Sequence, residues 1–322
     1  MKRVTLKDIA ARAGVSIALV SNYLNRHPSA RMTERTRKKI DKALNDLNYH
    51  CSDIARSLRT GRCNIIGYFT ENLRNEVNQN EMIEIYDAAA RENYRVIVGF
   101  SANRGTSMEN IRAFIARGCD AVIVSGSFSQ DMVDQLAELP IPTVILNTHY
   151  SAAFPGKMLR YDYRTAVRSA INYLKEQGHT GIYYIGGRQM YEDQRYCEFV
   201  ESVSEKNIFG VDYGNISYDE WASFMKSHPD CTAILHMNDF LALRTMQYAA
   251  ASGLSVPDDL SVVGFDNIHA ADFTVPTLSS ISRPLASAAQ YAVKAVLDEL
   301  ENKSSDLPEI LPCEFIRRDS VK

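Results

Sequence analysis

Four residues near the amino end carry groups that can read a DNA base. Asn22 has an amide able to pair bidentately with adenine, while Ile17 and Ala18 offer methyl groups that can meet the methyl of thymine. Ser21 adds a hydroxyl beside them. Such groups read a sequence only when a rigid element presents them together in a groove, so residues 17–22 need a scaffold.

The flanking residues supply one. Residues 5–25 spell two short helices joined by a turn. Thr5 suits an N-cap with Asp8 three residues on, and Leu6, Ile9, Ala10 and Ala13 fall on one face. Gly14 can take the left-handed conformation that ends a helix. Ser16 caps a second helix that buries Val20 and Leu24, and Ala10 lets the two cross closely. This is helix-turn-helix geometry, with the second helix in the major groove. A third helix spans 33–47, capped by Thr33, with Ile40, Ala43, Leu44 and Leu47 as its apolar stripe. Arg31, Arg35 and Arg37 are expected to hold phosphates rather than read bases. Tyr23 is read as core, with a phosphate contact as the alternative. Residues 50–62 hold at most a two-turn helix capped by Ser52, too short to be stable in water without a partner.

Charge supports this division. Residues 1–62 carry 14 Lys and Arg against 5 Asp and Glu, whereas the remainder carries 22 against 34. A basic head on an acidic body fits a head that meets phosphates and a body that does not. The six cysteines (51, 63, 119, 197, 231 and 313) form no Cys-x-x-Cys, and no histidine stands at metal spacing, so no metal or cofactor is expected. With neither a membrane-length apolar run nor a signal-type segment, a soluble cytoplasmic protein is expected.

From residue 64 apolar strand-like runs alternate with helical stretches. The runs are 65–69, 96–100, 121–124, 143–146, 182–185, 232–235 and 261–265. The helices fall near 80–92, 107–117, 130–138, 165–177, 192–206, 239–252 and 285–301. Alternation of this kind predicts parallel sheets covered on both faces. Seven or more strands exceed one modest sheet, so two α/β lobes with a ligand cleft at their strand ends are expected.

The run Thr-Leu-Lys-Asp-Ile-Ala…Ala-Gly-Val-Ser…Val-Ser…Leu-Asn resembles the amino-terminal signature of the LacI/GalR (lactose-repressor) family of bacterial transcription factors. Thr36-Arg37, Leu47-Asn48-Tyr49 and Ala55-Arg56-Ser57-Leu58 continue it. Gly178-His179, Asn238-Asp239, Val262-Val263-Gly264-Phe265-Asp266-Asn267, Pro276-Thr277-Leu278-Ser279-Ser280-Ile281 and a tail from Leu311-Pro312 to Ser320 carry it through the large domain. The resemblance implies an all-α helix-turn-helix headpiece and an α/β periplasmic-binding-protein-like core of two interleaved parallel-sheet lobes. The headpiece would be 1–49, the hinge 50–62 and the core 63–322. Lobe one would hold about 63–160 plus 284–311, and lobe two about 161–283 plus 312–322. Leu58 would be the hinge residue pushed into the minor groove as a wedge. Thr5, Ser16, Asn25 and Tyr49, within the matching motifs, complete the expected DNA-binding set. The family commonly has Thr where this chain has Leu19 and Arg where it has Asn22, so an altered operator preference is expected.

The same resemblance points to an effector site. Arg195 falls where the family's ligand-contacting arginine falls, and its planar fork suits a carboxylate or two sugar hydroxyls. Asn238 and Asp266 match positions that accept ligand hydrogen bonds, and Asp162 matches a crossover aspartate. Glu198 replaces a usual Gly and is expected to narrow the pocket. The family often reads Asn-Pro-Phe-Phe after its first strand; here the stretch is Asn75-Glu76-Val77-Asn78, so an aromatic that would stack on a ligand is missing. Glu71, Asn72, Asn75, Asn78 and Gln79 make this side polar, and Ser101 can add a hydroxyl. Trp221, spaced with Phe224 and Met225, is read as core, with a stacking platform as the alternative.

The expected protein is a DNA-binding regulator, most often a repressor in this family, controlled by a small polar effector, a sugar or sugar derivative. With no terminal heptad run, a homodimer is expected. The competing reading is a cytosolic sugar-binding or sugar-processing protein with a non-regulatory head. The basic head argues against it, as does the lack of a nucleotide-binding glycine loop or other catalytic constellation.

Overall fold

The structure, a computed structural model, describes residues 4–24, 31–49, 61–101, 107–126, 128–146, 154–187, 193–211 and 215–322. Asn25, Leu58 and residues 50–60 of the expected hinge (50–62) lie outside the described residues. The chain divides into two compact units, Met1–Cys63 and Asn64–Lys322.

In the first unit, α1 (Leu6–Ala13), α2 (Ile17–Leu24) and α3 (Glu34–Asp46) enclose a small core of Ile9, Ala10, Ala13, Val20, Ile40 and Ala43. Asp8 begins α1 by accepting from both the backbone N–H (2.8 Å) and the hydroxyl (2.7 Å) of Thr5. Gly14 ends it at φ 67°, its N–H returning to the Ala10 carbonyl. Tyr23 is half-buried and donates to Asp41 at 2.6 Å, tying α2 to α3. That is the core role read from the sequence.

The second unit holds two six-stranded sheets. The first has the order β11-β5-β4-β3-β1-β2, with β1 Ile65–Thr70, β2 Arg95–Phe100, β3 Ala121–Ser125, β4 Thr143–Leu146, β5 Lys157–Asp162 and β11 Ile310–Pro312. All its pairings are parallel. The helices α4 (Glu76–Arg91), α5 (Ser107–Ala116), α6 (Gln130–Ala137) and α11 (Leu285–Leu300) belong to this lobe. The second has the order β12-β10-β9-β8-β6-β7, with β6 Ile182–Gly187, β7 Ile208–Val211, β8 Ala233–His236, β9 Ser261–Phe265, β10 Ser279–Ser282 and β12 Glu314–Ile316. Only β12 runs antiparallel to its neighbour. Its helices are α7 (Tyr163–Glu176), α8 (Gln194–Ser202), α9 (Tyr218–Ser227) and α10 (Asp239–Ala251). The chain therefore passes between lobes after Asp162, between Ser282 and Leu285, and at Cys313.

The central strands β3 and β9 are apolar along nearly their whole length, as parallel strands covered on both faces must be. Residues 121–125 and 261–265 are buried at every position. The expected helix over 192–206 ends at Ser202, followed by a 3₁₀ turn (Glu205–Asn207) and then β7.

Candidate functional site

The second unit contains a cleft of about 340 Å³ between its lobes. Lobe one contributes Asn72, Arg74, Asn75 and Glu76, from the turn after β1 and the start of α4. Lobe two contributes Asn238, Asp239, Phe240, Asp266 and Ile268, from the ends of β8 and β9 and the start of α10. Strand ends and helix starts converge there because each strand of a parallel sheet feeds a helix that runs back over it.

Local capping fixes most of the polar groups. Asn75 caps α4, its Oδ1 accepting from the Val77 N–H at 3.2 Å. Asn238 caps α10 in the same way from Leu241, at 2.9 Å. Asn72 accepts from the Arg74 N–H at 2.9 Å. Asp239 is wholly buried, accepts from the Ser280 hydroxyl (2.6 Å) and the Ile268 N–H (2.8 Å), and is pushed by burial up to about 7 against the pull of those donors. Its carboxylate fits only because residue 264 is glycine: a Cβ there would lie 2.0 Å from Oδ1.

The loop after β9 is held residue by residue. Asp266 and Asn267 both have positive φ, 107° and 52°, a conformation that few side chains tolerate and that the surroundings must enforce. The Asn267 N–H goes to Ser280 (3.0 Å) and its side-chain oxygen accepts from Arg318 (2.7 Å). The next N–H, of Ile268, goes to Asp239, and the third, of His269, crosses the cleft to Glu76 at 2.7 Å.

Behind this wall lies a chain of buried charges. Asp266 accepts from Arg283 at 3.0 Å; burial raises its carboxyl while Arg283 and Arg195 oppose that rise. Arg195 closes its fork on Asp193, with Nε at 2.9 Å and Nη2 at 2.5 Å, and gives a third N–H to the Met237 carbonyl at 2.6 Å. Burial works against its charge, but Asp193 outweighs burial and holds it firmly protonated. Its guanidinium lies over Phe265, 4.9 Å from the ring centroid. Tyr68 and Tyr161 donate to the buried Glu81 at 2.8 and 3.2 Å, next to the Arg283 end of the same cluster.

Of the six effector residues expected from the sequence, the structure brings Asn75, Asn238 and Asp266 into the cleft. Arg195 is buried and does not line the cleft, and two of its five N–H groups lie beyond the bonds described. Asp162 caps α7 by accepting from Thr165 at 3.0 Å, and Ser101 is buried past the end of β2; neither lines the cleft. Glu198 does not narrow the pocket, contrary to expectation. It is fully buried and pairs with Arg168 of α7 through two bonds of 2.7 Å. Trp221 is core, 1% exposed. Sequence reasoning missed Arg74, Phe240 and Ile268, and it left Asp239 without a role. The signal for Asp239 was available in its place one residue after a capping Asn at the end of an apolar strand.

In the first unit, Thr5, Ser16, Ile17 and Ala18 are exposed, and Ser21, Asn22 and Tyr49 are half-buried. Ser16 accepts from the Leu19 N–H at 3.2 Å and so starts α2. Ile17 is 47% exposed, which presents about half of a large apolar side chain at the helix start to solvent. Arg31, Arg35 and Arg37 are exposed.

Among the described residues no helix is long and apolar enough to cross a membrane, and no group of three or more His, Cys, Asp or Glu could hold a metal ion. Residues 171–321 match the periplasmic binding protein-like domain. Over 342 residues the chain is 29% identical to the HTH-type transcriptional repressor PurR of Vibrio vulnificus, covering 99% of this chain and 98% of that protein. It is 26% identical over 330 residues to the ribose operon repressor of Halalkalibacterium halodurans, covering 99% and 97%. Its fold is like that of the lac repressor dimer crystallised with operator and the anti-inducer ONPF, with a TM-score of 0.84 at 23% identity over 99% of each chain. Residues 5–52 match the bacterial regulatory proteins of the lacI family, and with this head on that core the chain belongs to that family of DNA-binding transcriptional regulators.

Proposed function

We propose that this regulator is a cytoplasmic repressor that binds a pseudo-palindromic operator as a homodimer and changes its operator affinity when a small polar ligand enters the interlobe cleft. The observation that carries the ligand half is the lining of one cleft by Asn75 from lobe one and Asn238 and Asp266 from lobe two. A ligand touching both walls binds one lobe arrangement better than another, and that differential affinity is what shifts a two-state protein. The positive charge of Arg195 opposes the rise that burial imposes on the Asp266 carboxyl, and two of its N–H groups lie beyond its bonds to Asp193 and Met237. A sugar or sugar derivative suits these groups, and one relative is named for the ribose operon.

The dimer reading rests on exposed apolar side chains. Ile83 and Tyr86 on α4 and Phe100 on the edge strand β2 are each more than half exposed, as are Phe273 and Val275 in lobe two. A second copy would cover them. For the operator, Ile17, Ala18, Ser21 and Asn22 are proposed to read bases. Thr5, Ser16, Asn25, Arg31, Arg35 and Tyr49 would hold the backbone and Leu58 would act as the wedge. Asn22→Ala should lose about 1–3 kcal/mol at one base position in each half-site and relax the preference there. Binding to a library of operator variants reads this directly. An equal loss on every sequence would make Asn22 a phosphate contact and end its base-reading role.

A further inference from the structure

The ligand class follows from which polar atoms of the cleft are already engaged, taking the cleft as the effector site proposed above. Asn72, Asn75 and Asn238 each have Oδ1 bonded to a backbone N–H. A backbone N–H can only donate, so all three amides are locked with oxygen inward and the NH₂ group outward. None of the three Nδ2 atoms meets another partner among the described residues, and the same is true of the exposed guanidinium of Arg74. The acceptors are in the opposite condition. Both oxygens of Asp239 take donors from its own lobe, Asp266 takes Arg283, and Glu76 takes the His269 N–H. Glu76 and Asp266 each keep one carboxylate oxygen beyond these bonds, but three NH₂ groups and the Arg74 guanidinium stand against them, so the cleft presents a surplus of hydrogen-bond donors. Phe240, 52% exposed beside Asn238, adds an apolar surface on which the C–H face of a ring can rest.

We infer that the effector is an acceptor-rich anion, a small polyhydroxylated molecule carrying a carboxylate or phosphate that Arg74 receives. A neutral sugar brings one donor with each hydroxyl and would leave the amide and guanidinium donors short of acceptors, whereas an oxyanion is acceptor only.

The test is calorimetric titration of the full-length protein with matched probes. These are D-gluconate and D-glucuronate for the carboxylate, D-glucose 6-phosphate and D-ribose 5-phosphate for the phosphate, and D-glucose and D-ribose as neutral counterparts. At least one anion should bind at least about tenfold more tightly than its neutral counterpart, and Arg74→Ala should weaken that anion about 10- to 100-fold. Which anions bind separates a carboxylate from a phosphate. Arg74 is exposed and holds no fold contact among the described residues, so its loss should leave circular dichroism unchanged. Binding by none of the four anions at millimolar concentration overturns the inference. A neutral sugar that matches its acid or phosphate, with affinity that falls in Asn238→Ala but not in Arg74→Ala, overturns the anion while keeping the cleft. Anion binding that survives both substitutions places the ligand outside the cleft and overturns the effector-site reading as well.

Discussion

The two walls of the cleft are built on opposite principles. The lobe-two wall is a set of buried charges that satisfy one another: Asp193 with Arg195, Asp266 with Arg283, and Asp239 with two donors. The lobe-one wall consists of largely exposed side chains on a turn and a helix start, whose contacts are local caps and one bond across the cleft. A buried ion pair is rigid because separating it strands a charge, whereas an exposed cap or a solvent-facing guanidinium is lost at a small cost to the fold. One wall is thus a fixed template and the other an adjustable surface. On the effector role proposed above, lobe one is where a change of ligand preference costs the fold least.

Removing one partner of a buried pair should break this contrast most visibly. Asp193→Ala strands the Arg195 guanidinium and should reduce stability by about 3–5 kcal/mol, measured by urea unfolding of the second unit's transition. A loss under 1 kcal/mol would show that water reaches Arg195 and that the template is not dry.

A smaller effect is expected from Asp239, and it depends on pH. The carboxyl sits near 7 when folded and near about 4 when unfolded. Between these values the folded chain holds a proton that the unfolded chain has lost. Asp239 therefore contributes stability that is complete below about pH 4 and is lost as pH rises through 7. Asp239→Asn keeps an acceptor for the Ile268 N–H and removes the titration. Unfolding compared at pH 4.5 and 7.5 should show a shallower decline in the variant, and parallel declines would take Asp239 out of the account.

Least affected should be the lobe-one wall. Asn75→Ala removes the α4 cap and should lower stability by about 1 kcal/mol. A loss as large as that of Asp193→Ala would erase the distinction between the walls.

The sequence made some elements plain and hid others. The helix-turn-helix was legible because Thr5, Asp8, Gly14 and Ser16 are local signals, and local signals survive without tertiary context. The strands at 143–146 and 261–265 were legible as uninterrupted apolar runs. β10 was not read as a strand, since Ser279-Ser280-Ile281-Ser282 looks like a turn. Ser279 and Ser280 are buried because Arg318, Asp239 and Asn267 provide partners distant in sequence. β5, with Lys157, Arg160 and Asp162, was hidden by its charges, and the three-residue β11 and β12 were too short to show periodicity. In the site, family motifs located Asn238 and Asp266. The engagement of Arg195 by Asp193 was missed, although the two stand only two residues apart, because masking of one charge by another depends on burial.

The antiparallel strand β12 sets a timetable for synthesis. Lobe two begins its sheet at Ile182 and has made its fifth strand in chain order by Ser282, yet its sheet is incomplete until Glu314–Ile316 arrives. Ser320 then takes the Ser279 N–H and donates to the Val262 carbonyl, while Arg318 reaches Asn267 in the loop that forms the cleft. At ribosomal speeds of about 5–20 residues per second, the intervening stretch takes roughly 2–8 seconds. For that interval lobe two carries an open sheet edge and a cleft loop without its Arg318 anchor. On the effector role proposed above, a nascent chain would be unable to complete the cleft until residues 314–320 had left the ribosome.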